Sequence, residues 1–226
     1  MRLFDFLGPS DNEMNTLLSE ILPSDLSDLH MLDLASGSGN HLQVFLDKNI
    51  SKITVLDKSN DSLNYLKKRY EYDFEKIEII VDDILTREHM NKYDLVYIGD
   101  NSIQMFESFH AQYQVILFVA DAISAKGTGI INFTPVTEKN ILEFSNNYTV
   151  ISNADCLHGK IKVDIFEQEL IYYFKSDGDI KTVRNRILIK NEFESMIEAS
   201  GMYVSNVEKK ICSSGNITYF YYCKRK

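Results

Sequence analysis

The sequence predicts an α/β fold, a doubly wound and mostly parallel sheet. Three observations lead there. Short apolar runs alternate with amphipathic stretches from Leu29 to Phe133, a glycine-containing turn joins the first run to the first amphipathic stretch, and after Pro135 the alternation gives way to a β-hairpin rhythm. Nearly continuous apolar strands separated by helices belong to a parallel sheet buried on both faces. Right-handed crossovers then leave the doubly wound arrangement.

Taken in order, Leu29–Asp33 (LHMLD) reads as a strand, Ala35-Ser36-Gly37-Ser38-Gly39 as a turn and His41–Asp47 as a helix. Lys52–Leu56 is a second strand, and Ser59–Tyr70 a helix opened by a serine cap. Ile77–Val81 and Tyr93–Ile98 are the third and fourth strands. Ser102–Ala125 reads as helix with a break near His110, ended by Lys126-Gly127-Thr128-Gly129, and Gly129–Phe133 is the fifth strand. Two or three strands are expected between Thr149 and Ile189, one alternating through Ile161, Val163 and Ile165, with Asp177-Gly178 as a hairpin signal. A helix over Asn191–Ser200 stops at Gly201. Met202–Ile211 and Ile217–Cys223 form a final hairpin around Ser213-Ser214-Gly215-Asn216. The expected architecture is a seven-stranded sheet closed by that antiparallel pair, with residues 149–189 as an inserted antiparallel β layer.

At 226 residues, 44% apolar and 25% charged, the chain fits one soluble domain spanning residues 1–226. No signal peptide or membrane-length apolar run is visible, so the expectation is cytoplasmic, without a membrane partner, as a monomer or homodimer. The net charge of −9 opposes a nucleic-acid partner, because neutralising phosphates takes an excess of Lys and Arg. Cys156, Cys212 and Cys223 form no CxxC pair, and no histidine pair among His30, His41, His89, His110 and His158 has ligand spacing. No metal is expected, and these histidines read as structural or exposed.

The chemistry concentrates at Asp33-Leu34-Ala35-Ser36-Gly37-Ser38-Gly39-Asn40, where the first strand meets the first helix. Glycine lets backbone approach a ligand, and a helix start offers unpaired N–H groups. A dinucleotide turn needs G-x-G-x-x-G, and the third position here is Leu42. What is present is an acidic strand end followed by small-x-Gly-x-Gly, with Ala35 in the place of the first glycine.

This turn resembles the first motif of the class I S-adenosylmethionine-dependent methyltransferases, and the resemblance continues in order along the chain. It implies the Rossmann-like methyltransferase fold, S-adenosylmethionine as cofactor, and cofactor contacts from Asp33, Ala35, Ser36, Gly37 and Gly39. Asp57, beside Lys58 at the end of Val55-Leu56-Asp57, stands where the family places the carboxylate that accepts both ribose hydroxyls. Asp82-Asp83-Ile84 stands at the adenine contact, with Asp83 preferred to Asp82 as the carboxylate and the next N–H meeting a ring nitrogen. Tyr93–Val96 with Gly99–Ser102 resembles the fourth motif, and Lys126–Ile131 the turn before strand five.

The Asn-Pro-Pro-Tyr of nucleic-acid amino-methylating enzymes is replaced by Gly99-Asp100-Asn101-Ser102-Ile103-Gln104-Met105-Phe106. That segment is similar to small-molecule N-methyltransferases of the glycine and amino-sugar type, which implies methyl transfer to nitrogen or oxygen of a small molecule. The alternatives are an RNA or protein methyltransferase, or a non-catalytic protein that keeps the fold. The relatives often carry His where this chain has Met105, and a thioether cannot accept a proton. Asp100 is the candidate general base, or equally an N-cap for the helix at Ser102. Asn101, Met105, Tyr172, Tyr173, Arg184 and Arg186 are the candidate substrate contacts; the two arginines alternate onto one strand face, where an inward guanidinium would suit a carboxylate-bearing substrate.

Overall fold

The computed structural model describes residues 8–88, 91–137, 159–164, 168–176 and 179–226. Its strands are β1 (His30–Leu34), β2 (Lys52–Asp57), β3 (Ile77–Val81), β4 (Tyr93–Ile98), β5 (Ile123–Phe133), β6 (Gly159–Asp164), β7 (Glu169–Ser176), β8 (Asp179–Arg186), β9 (Met202–Ile211) and β10 (Ile217–Arg225). The helices are α1 (Asp11–Ile21), α2 (Leu42–Asp47), α3 (Asn60–Arg69), α4 (Phe109–Ala122) and α5 (Lys190–Ala199).

Seven strands form one sheet in the order β3-β2-β1-β4-β5-β10-β9. The first five in the chain run parallel, while β10 lies antiparallel between β5 and β9. The doubly wound sheet and its terminal hairpin are as the sequence predicts. From β1 the chain winds outward through β2 to β3, then returns to place β4 on the other side of β1. That reversal opens a crevice beyond the carboxyl ends of β1 and β4, where open α/β sheets bind ligands.

Alternating side chains feed two cores. Met31, Ile53, Val55, Leu95 and Tyr97 pack with α1, α2 and α3. Leu32, Leu34, Leu56, Val96 and Ile98 pack with α4 and α5 on the other face. Serine caps set the starts of three helices: Ser10 accepts from Glu13 N, Ser59 from Ser62 N, and Ser108 from Ala111 N. Among the described residues no helix is long and apolar enough to cross a membrane.

Two boundaries differ from the expectation by more than two residues. The segment expected as one helix from Ser102 is a 3₁₀ turn at Ser102–Met105, an extended Phe106, and α4 capped by Ser108. The break falls before His110 because the Ser108 side chain restarts the helix. Strand five also begins earlier, at Ile123, since Tyr93 pairs with Ile123 and Leu95 with Thr128. Residues 124–127 bulge from the ladder, so the glycine-containing turn lies inside the strand. Helix α1 was not anticipated, although Met14, Leu17, Leu18 and Ile21 have the spacing of one helical face, and Met14, Leu17 and Leu18 are buried.

Strands β6, β7 and β8 form a separate three-stranded antiparallel sheet. Ser176 pairs with Asp179, which brackets the expected Asp177-Gly178 hairpin, although those two residues lie outside the described ones. Residues 149–158 and Ile165 of the expected layer, and His89, His158 and Cys156, also lie outside them. Cys212 and Cys223 are buried, and burial pushes their thiols up to about 11 and about 12.

Candidate active site

The turn after β1 is built from left-handed backbone. Ala35 has φ 54°, Gly37 φ 54° and Gly39 φ 70°. Glycine takes this conformation freely, but at Ala35 the Cβ meets the following carbonyl at a cost of roughly 1–2 kcal/mol. The turn is tied to β2 twice: Ser36 N–H donates to the Leu56 carbonyl at 3.3 Å, and Gly37 N–H to Asp57 Oδ2 at 2.8 Å. Asp57 Oδ1 accepts from Ser59 N–H at 2.8 Å. One carboxylate thus fixes the glycine turn and the approach to α3 together. Each of its oxygens still has acceptor capacity.

A cleft of about 310 Å³ opens here, lined by Ala35 and Gly37, by Asp57, Lys58, Ser59 and Ser62, and by Asp82, Asp83 and Ile84. Its opposite wall is Ser102, Met105 and Phe106. The volume falls within the range of small-molecule sites. Asp82 pairs with Arg87 at 2.5 Å and accepts the Asp83 N–H at 2.8 Å. The Arg87 guanidinium and then that N–H hold the Asp82 carboxyl below the usual carboxylate range. Asp83 Oδ1 accepts the Leu85 N–H at 3.0 Å. Among the described residues the Ile84 N–H donates to no other group, although Ile84 is 7% exposed.

A second, much smaller cavity shares Ala35 and Ser102 with the cleft and is lined also by Asp33, Ser36, Gly99 and Asp100. The Ser36 hydroxyl is buried and has no hydrogen-bond partner among the described residues. Tyr97 stands so close behind Gly99 that a Cβ at Gly99 would lie 2.0 Å from the tyrosine oxygen, so only glycine fits. Asp100 and Asn101 follow in consecutive left-handed conformations, φ 56° and 57°. The Asn101 amide oxygen accepts the Thr134 N–H and anchors the turn to the end of β5.

Most of the residues expected to hold a cofactor converge on these two cavities. Gly39 is an exception: it supports the turn from behind, its carbonyl accepting the Tyr70 hydroxyl at 2.7 Å. Met105 lines the cleft, whereas Asn101 is 1% exposed and spent on Thr134. Asp100 caps no helix, because Asn101 occupies the cap position of the 3₁₀ turn; the Asp100 carboxylate points instead toward His41, 3.6 Å from its Nε2. Arg184 is surface-exposed and pairs with Glu169 at 2.6 Å. Arg186 does turn inward, but Glu192 takes its guanidinium through two bonds of 2.6 and 2.8 Å, with Gln112 and Gln168 accepting further bonds. A carboxylate of the chain itself thus fills the role imagined for substrate. The side chains of Tyr172 and Tyr173 lie outside the described residues, although their backbones pair with Val183 and Thr182.

Sequence reasoning missed Ser59, Ser62, Ser102 and Phe106 as cleft walls, and it missed the gathering of Asp11, His41 and Asp100. Ligand-capable atoms of those three lie within 4.8 Å of one another. They come from three separate stretches of chain, and only α1, the helix passed over, brings Asp11 in.

No protein-family model and no curated protein matches the chain. Solved structures do. The CcbJ methyltransferase from Streptomyces caelestis is 13% identical with a TM-score of 0.76, over 98% of this chain and 92% of its own. An S-adenosylmethionine-dependent methyltransferase from Clostridium acetobutylicum is 13% identical with a TM-score of 0.71, over 99% and 96%. CalS10, an amino pentose methyltransferase from Micromonospora echinaspora solved with S-adenosylmethionine bound, is 11% identical with a TM-score of 0.63, over 96% and 94%. The chain shares the fold of these S-adenosylmethionine-dependent methyltransferases.

Proposed function

We propose that the protein is an S-adenosylmethionine-dependent methyltransferase acting on nitrogen or oxygen of a small molecule. The observation that carries this reading is the Asp57 carboxylate, which faces the cleft while holding the Gly37 and Ser59 N–H groups. Among the described residues each oxygen accepts one N–H bond, and a carboxylate oxygen can accept another, which suits the two vicinal hydroxyls of a ribose. The Ile84 N–H, beside the Asp82 and Asp83 carboxylates, suits a ring nitrogen and an exocyclic amine of adenine. The methionine arm would pass Ala35 and Ser102 into the smaller cavity, where the buried Ser36 hydroxyl needs a partner.

When bound, S-adenosylmethionine supplies an electrophilic methyl group. The chain's own contribution is positioning: the glycine turn, Asp57 and the Ser102–Phe106 wall hold one reactant so that an acceptor lone pair meets it in line. Asp100 is the carboxylate placed either to take the proton the acceptor gives up or to hold the positive charge that develops on it. The 149–189 layer is the element proposed to choose the acceptor. Its last strand ends at Arg186, two residues before Leu188, whose N–H donates to Gln104 of the cleft-side 3₁₀ turn at 3.4 Å. CalS10's acceptor, an amino pentose, makes amines the first class to try.

The test is incubation with methyl-labelled S-adenosylmethionine and a panel of amines, amino sugars and phenols. Transfer of label to one member is expected. Absence of S-adenosylhomocysteine binding by calorimetry at millimolar ligand would overturn the reading.

A further inference from the structure

His41 is where α1, the glycine turn and the turn after β4 meet. It is 6% exposed. Its Nδ1 lies 2.8 Å from Asn15 Oδ1, and Asn15 Nδ2 donates to the Asn40 carbonyl at 3.3 Å, which sets the amide with its oxygen toward the imidazole. An amide oxygen only accepts, so Nδ1 carries a hydrogen. Nε2 then faces Asp100 Oδ2 at 3.6 Å, with an Asp11 carboxylate oxygen within 4.8 Å of both.

In that tautomer a neutral imidazole would turn its remaining lone pair toward two carboxylates. A proton on Nε2 replaces that repulsion with attraction. Among the described residues the titratable groups around the pair include Asp11 from α1, Asp33 from β1 and Tyr97 from β4, and Arg69 is held on Asn40 Oδ1 at 2.9 Å. Among the described residues, the carboxylates of Asp100 and Asp11 are the charged groups brought to Nε2.

We propose that His41 is a doubly protonated positioning residue that holds Asp100, and through it the left-handed Asp100–Asn101 turn, at the inner end of the cleft. Its functional meaning rests on the methyltransferase reading, because that reading puts the transfer end beside this turn. Asp100, as half of an ion pair, keeps its charge and steadies a developing cation. It does not act as a free base. Asn15 orients the imidazole, so α1 belongs to the site through His41.

The pair is tested by NMR on the full chain labelled with ¹⁵N-histidine, the His41 signals being those missing from His41→Asn. At about pH 7.5 an ordinary histidine is neutral. His41 is expected to remain an imidazolium there and to become neutral in Asp100→Asn. A neutral His41 in the unaltered protein, or one indifferent to Asp100→Asn, overturns the proposal. Positioning is tested by calorimetry with S-adenosylhomocysteine on folded variants checked by thermal melts. His41→Asn keeps an amide for Asn15 but falls short of Asp100; it should weaken binding about tenfold, the scale of one lost charged contact. His41→Gln reaches Asp100 and should restore affinity to within about threefold of the original. Equal losses in both would make His41 a structural post only, and would overturn the positioning role. If the unaltered protein fails to bind S-adenosylhomocysteine, the cofactor reading falls, while the imidazole signals still report on the pair.

Discussion

The Asp57 carboxylate and the Gly37 N–H meet at 2.8 Å, joining the end of β2 to the turn after β1. A second bond to Ser59 N–H uses the other oxygen. Replacing Asp57 by Ala therefore removes a structural brace and the proposed ribose acceptor at once. The expected outcome is a stability loss of about 2 kcal/mol by chemical denaturation, the range for hydrogen bonds to a charged group. S-adenosylhomocysteine affinity should fall at least tenfold by calorimetry, and unchanged affinity would contradict the ribose assignment.

Ala35 occupies a left-handed conformation, φ 54°, in the same turn. Ala35→Gly relieves the Cβ contact but frees the unfolded chain, so the two effects partly offset. The expected net is a gain of up to about 1 kcal/mol in denaturant unfolding, with cofactor affinity unchanged within a few-fold. A clear loss of stability would show that the methyl group's packing at the cleft outweighs backbone strain.

Arg186 ties the small sheet to the body of the protein through Glu192 on α5 and Gln112 on α4. Its side chain is 10% exposed and that of Glu192 is 20% exposed. Arg186→Met leaves the Glu192 carboxylate without its partner and should cost about 3 kcal/mol, the lower end for breaking a buried pair. Adding Glu192→Gln should recover part of that loss. A double-mutant cycle with no coupling would make the contact incidental.

His30 lies against the Tyr93 ring, 4.8 Å between centroids, with Nε2 3.0 Å from Thr54 Oγ1. Burial, then the charge of Lys52, lowers its tendency to protonate. With the folded-state value depressed, the unfolded chain binds the proton more readily. The contribution to stability is whole above about pH 6.5 and is lost as pH falls from there through the depressed value. Thermal midpoints should drop over that interval, and His30→Gln should flatten the drop. An unchanged profile in the variant would assign the acid sensitivity to other groups.

The sheet was legible because β1, β2 and β4 are apolar on both faces, which only a covered parallel sheet needs. The half of the cleft proposed to hold the cofactor was legible for a related reason. Asp33 and Asp57 lie at the carboxyl ends of β1 and β2 and Asp83 lies just beyond β3, and strand ends are where such sheets bind ligands. Helix α1 has plain apolar spacing, but it lies ahead of the strand–helix alternation and carries no glycine turn or acidic strand end to mark it. Arg186 could not be read: the direction of its strand face was open, Glu192 belongs to another element, and pairing across elements leaves no trace in local spacing. His41 was hidden the same way. Its neighbours Asn15 and Asp100 are far from it in sequence, and only the packing of α1 against the second turn joins them.

Every described residue lining the larger cleft lies between Ala35 and Phe106, while the three-stranded sheet and the closing hairpin come later in the chain. A contiguous stretch of the gene therefore encodes the wall of that cleft. Recombination or drift downstream of codon 106 can recast the later elements without changing one side chain of the cleft. On the proposed reading, descendants of this gene can thus diverge in the molecules they act on while inheriting the same cleft wall intact.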